Sequence, residues 1–377
     1  MSRLSALARR LDARQFAAYA AVPPSRAGWT GARVALVAVS VAITVVVLGL
    51  LALGVWLVVD GFPSWRLVPG LVLIGIAWTL RPRLGSAGER WAVVTEDDAP
   101  TLFALLARVA TATGAPMPHV VALDYRFNAS AGVHGLRRTR TLVLGLPLWG
   151  SLEPDQRVAL LGHEFGHFVN NDPTRSILTQ PALTTPGVLA QLLWPSRSLT
   201  NGNLLIAFAE WVLAPVQRLV ARGFLLLQAG LLAVATRDHQ RAEYCADALS
   251  ARVAGSGAAV ALLDGIAAAS AVETAVVSAE RKTQATATPR SAHPGPGPWR
   301  EAARAARAGV DLAAVRDQTV AESTLWDSHP PTGLRARLVE AWPHQDAAVV
   351  LGRDESDRVD AELAKWYAKA GRDLVWE

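Results

Sequence analysis

A polar, arginine-studded opening gives way abruptly to an apolar run. From Val34 to Val59 no residue is charged and nearly all are apolar. As a helix this run is long enough to cross a hydrocarbon core of roughly 30 Å. An uninterrupted run of this length argues against a buried core helix, and it is too long and starts too late for a signal-peptide core, so it reads as an uncleaved anchor. A second run, Leu67 to Leu80, is bracketed by Arg66 and Arg81, whose side chains can reach the interface. With Asp60 to Arg66 as the external turn, residues 34–80 form a transmembrane hairpin. A third apolar zone, Leu204 to Thr236, is interrupted by Glu210, Pro215, Arg218 and Arg222. Each charge costs roughly 2.5–3.5 kcal/mol at a membrane centre. Two readings stand: two short crossings, or a pair of amphipathic helices on the bilayer or on a folded domain.

After residue 90 the pattern is that of a folded domain. Asp97 to Thr113 has helical periodicity, with Asp97, Asp98 and Pro100 at its start. His119 to Leu123 and Thr141 to Leu146 are short β-rich runs, and Asn128 to Gly135 between them is turn-like. Pro154 and Asp155 open a helix that runs through Val158, Leu161, Phe165 and Phe168. Further helices are expected at Gln240–Val253, Arg300–Val315, Gly333–Glu340 and Asp357–Lys369. The stretch 281–298 is rich in Pro, Gly, Ser, Thr and Ala and reads as a flexible loop. The fold class is mainly α with a small β-sheet, plus N-terminal transmembrane helices. The expected organisation is an arm over 1–33, the hairpin over 34–80, and a domain over 90–377 interrupted by 204–236 and 281–298.

Charge sets the orientation. The net charge is +5. Arg3, Arg9, Arg10, Arg14, Arg26 and Arg33 precede the first span, and Arg81, Arg83 and Arg90 follow the second. Both flanks therefore read as cytoplasmic, which places the chain in a plasma or inner membrane as a multi-pass protein. Its large domain then faces the cytoplasm. Hydrophobic residues make up 51% of the chain, in keeping with a lipid bilayer as partner. No nucleic-acid signature is present, and the single cysteine, Cys245, excludes an internal disulfide framework.

Candidate chemistry sits on the helix opened by Pro154, in His163-Glu-Phe-Gly-His167. Histidines four apart project from one helix face and can share a tetrahedral zinc ion. Glu164 is placed to take the proton of a zinc-activated water as that water attacks a carbonyl. Gly166 is a poor helix former, so its missing side chain serves space near the metal or close packing. An extended motif would need glycine at 170 and histidine at 173, but the chain has Asn170 and Pro173. A glutamate is the other solution for a third ligand, from Glu210, Glu243, Glu273 or Glu280. Glu243 stands out because Asp247 lies one turn on, where it can receive the other ring N–H of a ligating histidine. His239, on the same face, is the runner-up ligand. Cys245 points elsewhere and reads as a packing residue.

These pieces, in this order, resemble the HtpX-type membrane metalloproteases, gluzincins related to the CAAX prenyl-protein endopeptidases. The resemblance rests on the membrane hairpin and Asn128-Ala-Ser-Ala-Gly with its following strand. Leu160-Leu-Gly-His-Glu-Phe-Gly-His, Arg241-Ala-Glu-Tyr-Cys-Ala-Asp and Asp327-Ser-His-Pro-Pro-Thr-Gly-Leu-Arg-Ala-Arg-Leu complete it. It implies a zincin-like α+β catalytic domain with one zinc per chain. His163, His167 and Glu243 would be the ligands, Glu164 the base, and Asp247 the partner of a ligand histidine. It further implies that Asn128, Ala129, Ser130, Ala131 and Gly132, with the strand near Thr141–Leu146, form a substrate-binding edge. His329 would stabilise an oxyanion or cap the zinc, and its plain alternative is a loop histidine capping the next helix. Arg335 and Arg337 are either partners of site carboxylates or surface charges. Three features depart from the family pattern: Gly333 stands where members often carry an acidic residue, the insert before Arg300 matches no motif, and the third apolar zone is more broken than two clean crossings would be. The implied activity is endoproteolysis of membrane or misfolded polypeptides, a quality-control role. A non-catalytic, zinc-stabilised membrane scaffold or chaperone-like adaptor is the alternative from another class.

Overall fold

A computed structural model describes the chain except residues 1–2, 25–27, 61–63, 82–90, 135–137, 171, 196–203, 287–294 and 377. In chain order the first elements are α1 (Arg3–Tyr19), α2 (Gly31–Asp60), α3 (Leu67–Leu80), β1 (Ala92–Val94), α4 (Pro100–Thr113), β2 (Val120–Asp124), β3 (Ala129–His134) and β4 (Thr139–Gly145). Helices α5 (Leu146–Ser151), α6 (Pro154–Asn170), α7 (Asp172–Leu193) and α8 (Leu204–Ala254) follow. The rest is α9 (Ser256–Ala267), α10 (Ala269–Thr286), α11 (Gly297–Ala308), α12 (Leu312–Ala321), α13 (Thr332–Ala341), α14 (Arg353–Glu362) and α15 (Ala364–Trp376). The fold class is as expected: mostly helical, with one small sheet and an apolar helix near the N-terminus long enough to cross a membrane.

Several local expectations are corrected. Of the turn expected over Asn128–Gly135, Ala129–His134 form strand β3 instead, and Gly135 lies outside the described residues. Pairing with β4 satisfies backbone groups that a loop would leave to solvent. The helix expected at 300–315 is two helices, parted where Asp311 caps α12 by accepting from the Ala313 and Ala314 N–H groups. The one expected at 357–369 divides at Leu363. Of the loop expected over 281–298, residues 281–286 belong to α10 and 297–298 to α11, while 287–294 lie outside the described residues. The third apolar zone is neither a pair of short crossings nor an amphipathic pair. It belongs to one helix, α8, which passes through Pro215 without a break.

The chain divides into two compact units. The unit of residues 29–84 and 175–238 is helical. Buried Arg33, Leu36, Ser40, Val47 and Gly54 of α2 form a single stripe, while Val45, Val46 and Leu48 are exposed, as lipid-facing residues would be. Gly54 and Gly70 bring α2 and α3 into backbone contact; a Cβ on either would lie 2.9 Å from the other's carbonyl oxygen. Thr30 caps α2, and Arg33 forms a buried ion pair with Asp238 of α8. Near the prolines of α7, neighbouring polar side chains meet its backbone. Ser40 Oγ accepts from the Ala182 N–H (3.0 Å), and Gln228 donates to the Leu183 carbonyl (2.9 Å). Among the described residues, α2 and Trp211–Ala254 of α8 are long and apolar enough to cross a membrane. The hairpin turn proper, with Gly61–Pro63, and Arg26, Arg83 and Arg90 lie outside the described residues.

The other unit, residues 1–28, 85–174 and 239–377, carries the sheet and the core. Strand order is β1-β2-β4-β3, with β2 and β4 parallel and the remaining pairs antiparallel. β4 is paired on both sides and β3 lies at the edge. Helix α6 is buried from Gln156 to Phe168. Its first turn is held by Arg157, which donates to the Trp149 carbonyl (3.0 Å), Ser356 Oγ (2.9 Å) and Asp360 (3.1 Å). Helix α1 packs in this unit too: the Trp342 indole donates to the Tyr19 carbonyl (2.8 Å), and Tyr19 lies against Tyr244.

Candidate metal centre

Helix geometry sets one half of the site. His163 and His167 lie on adjacent turns of α6, with side chains only 11% exposed and ring centroids 4.9 Å apart. The other half comes from the end of α8, and glycine lets the two helices meet. A Cβ on Gly166 would lie 2.8 Å from Ala246 Cα, and one on Gly162 would lie 3.1 Å from Ser250 Cα. Ser250 Oγ donates to the Ala159 carbonyl (2.8 Å), pinning the crossing. Of the two roles open to Gly166, the structure shows close packing.

Ala246 stands between Glu243 and Asp247, so this contact delivers both carboxylates to the histidines. Glu243 is fully buried, with Oε2 3.5 Å from His163 Nε2 and Oε1 3.5 Å from His167 Nε2. Two ligands about 2.0–2.2 Å from a shared tetrahedral ion stand roughly 3.3–3.6 Å apart, so this spacing fits a zinc ion. Neither Glu243 oxygen accepts a well-aligned hydrogen bond, although nitrogens surround the carboxylate. A buried carboxylate in that state calls for a cation. Glu273 and Glu280 are not in this group among the described residues, and the side chain of Glu210 lies outside them. Glu280 instead accepts from the Trp299 indole (2.8 Å) and Gln284 (3.0 Å).

Asp247 Oδ1 lies 3.1 Å from His163 Nδ1, which leaves His163 Nε2 facing Glu243. Arg335 of α13 is buried and grips Asp247 with both prongs, Nε to Oδ2 (2.8 Å) and Nη2 to Oδ1 (2.7 Å). Arg337 instead pairs with Asp317, away from the group. Gly333 supports this placement, since any Cβ there would run into the Arg316 backbone; an acidic side chain at 333 has no room. The charges shift one another. Burial favours a neutral Glu243, but contact with the His163 and His329 rings and Arg335 holds its carboxyl well below the usual range. Asp247 is likewise lowered, burial being outweighed by Arg335 and His163. Burial would lower His163, but Asp247 and Glu243 raise it to about 10 in the metal-free protein.

Glu164 is buried beside His163 and lines a cavity of about 280 Å³. Asn128 and Ala129 line it as well, with apolar Phe127, Leu148, Leu262 and Ile266. Ser130, Ala131 and Gly132 continue along β3. Of the edge expected from Asn128–Gly132 and Thr141–Leu146, only the first is an edge; β4 lies inside the sheet. His329 is 57% exposed, and its Nδ1 lies 2.8 Å from Glu243 Oε2. His239 Nε2 lies 3.4 Å from Glu243 Oε1. Cys245 is buried and packs with Ala242.

Two histidines one turn apart, a buried glutamate from another helix and a second glutamate lining a cavity next to an edge strand make up a candidate metal centre. A family model described as Peptidase family M48 matches residues 96–343. The chain belongs to this family, which includes HtpX and CAAX protease-like zincin metalloproteases, and it has a metallopeptidase function. No curated protein and no solved structure matches the chain.

Proposed function

We propose that the protein is a membrane-anchored zinc endopeptidase acting on membrane or misfolded polypeptides. The observation that carries this reading is the convergence of His163 Nε2, His167 Nε2 and the buried, unsatisfied Glu243 carboxylate, whose ligand atoms lie within 4.8 Å of one another. Those three residues would hold one zinc. Bound there, zinc supplies a Lewis acid that polarises a peptide carbonyl and acidifies a water molecule. Asp247 keeps the proton of His163 on Nδ1, so that Nε2 presents its lone pair. Glu164 takes the proton of the attacking water and returns it to the leaving amine. An extended peptide adds to β3 through main-chain hydrogen bonds at Asn128–Gly132, with an apolar side chain in the cavity lined by Phe127 and Leu262. His329 is in reach to donate to the oxyanion.

A multi-pass arrangement is supported by the two helices long and apolar enough to cross, α2 and Trp211–Ala254 of α8. The arginines before α2 favour the cytoplasm for the side that carries the catalytic domain.

The test uses the full chain in detergent with casein as substrate. Wild type cleaves with zinc, stops with chelator and recovers on adding zinc back. Glu164→Gln keeps its zinc and loses about 10²–10⁴-fold in rate. Zinc-loaded wild type that is as inert as Glu164→Gln would instead favour a closed scaffold site with His329 as a fourth ligand.

A further inference from the structure

We infer that His239, His329 and Glu243 form a second zinc-binding site, sharing the Glu243 carboxylate with the site proposed above. The inference rests on that proposal for Glu243 alone. Ligand atoms of these three residues lie within 4.8 Å of one another. His239 Nε2 stands 3.4 Å from Glu243 Oε1, and His329 Nδ1 stands 2.8 Å from Oε2. The His239 and His329 rings are 5.9 Å apart, edge to face.

Four imidazoles thus converge on a single carboxylate. One zinc ion takes about four ligands and, when catalytic, keeps a position open. His163, His167 and Glu243 already supply three, so His239 and His329 are in excess of what one ion needs. A carboxylate offers about four lone-pair sites on two oxygens and can bridge two ions. Paired ions in such sites stand about 3.5–4 Å apart.

The two sites differ in exposure. His163 and His167 side chains are 11% exposed, whereas His239 is 36% and His329 57% exposed. The outer ion therefore exchanges readily with solvent and binds more weakly. His329 also lines the cavity beside Glu164, so an ion held there withdraws it from substrate and narrows the entrance. Excess zinc then acts as an inhibitor, and the protease senses zinc through its own ligand carboxylate.

Equilibrium dialysis of the full chain in detergent, at low and at high free zinc, reads the stoichiometry directly, and casein cleavage is followed in parallel. The expected result is one zinc per chain at low zinc and two at high zinc, with activity falling severalfold between them. His239→Asn should hold one zinc throughout, cleave as wild type does at low zinc and resist the fall. Wild type that stops at one zinc overturns the inference, as does His239→Asn that still binds two. A variant that binds none places His239 in the inner site and overturns it too. Wild type that holds no zinc at low concentration fails the proposed function itself, a separate outcome.

Discussion

The contact between Gly166 and Ala246 offers a stringent test of how the centre is assembled. A Cβ at position 166 would lie 2.8 Å from Ala246 Cα and 3.0 Å from Ala246 Cβ. Non-bonded carbons rest about 3.5–4.0 Å apart, so Gly166→Ala must part α6 and α8 locally by roughly 0.7–1.2 Å. For stability two effects nearly offset. Overpacking costs about 1–3 kcal/mol. Replacing a helix-interior glycine returns about 0.8–1.0 kcal/mol. The net destabilisation is about 0–2 kcal/mol. The metal centre tolerates much less, since ligand distances must hold within about 0.2 Å. Ala246 lies between Glu243 and Asp247, so the shift passes straight to both carboxylates. Zinc affinity should therefore fall about 10–100-fold, the effect of losing a ligand's outer partner. Competition with a chromophoric chelator gives the affinity, and urea unfolding of the metal-free protein gives the stability. Gly162→Ala, whose Cβ meets Ser250 Cα at 3.1 Å, should show the milder form of both changes. Unchanged zinc affinity in a folded Gly166→Ala protein would refute the argument that this crossing sets the site.

Other consequences can be checked in the same preparations. Arg335→Ala leaves the buried Asp247 carboxylate with His163 but without its two-pronged partner, and should cost about 3–5 kcal/mol in urea unfolding. Arg335→Lys should recover only part of this, because lysine lacks the two-pronged fork. At pH 7 the metal-free protein carries a protonated His163, raised to about 10 by Asp247 and Glu243 against the effect of burial. Zinc must displace that proton, so calorimetry in buffers of different ionisation enthalpy should show about one proton released per zinc. For a raised pKa the stabilisation is complete below the unfolded value and is lost as pH rises through the folded one. The His163 contribution to metal-free stability should therefore fade between the ordinary 6.5 and about 10. Stability flat across that window would remove the His163–Asp247 ion pair from the account.

What could be read directly from the chain was whatever local periodicity encodes. The apolar length of Val34–Val59 identifies a candidate span, because the bilayer thickness and the helix rise are constants. The spacing of His163 and His167, and of Glu243 and Asp247, places each pair on one helix face whatever surrounds it. The propensity of Ala-Ser-Ala-Gly for strand is weak, so β3 reads locally as a turn, and its pairing with β4 is a tertiary fact. In α8, Pro215, Arg218 and Arg222 look like breaks in the sequence, yet the helix continues through them.

Only the folded structure decided which distant groups meet. His163 and Asp247 are 84 residues apart, and Asp247 and Arg335 are 88 apart. Nothing in either segment names the other. Their meeting depends on Gly162 and Gly166 letting α6 press against Ala246 and Ser250, and on Gly333 letting α13 lie against Arg316. Buried charges then had to find opposite charges within reach, which drew Arg335 to Asp247 and gathered four histidines around Glu243. Helical spacing is set by backbone geometry and survives in any context, whereas the pairing of faces is set by close packing and the cost of burying charge, which exist only once the chain has folded.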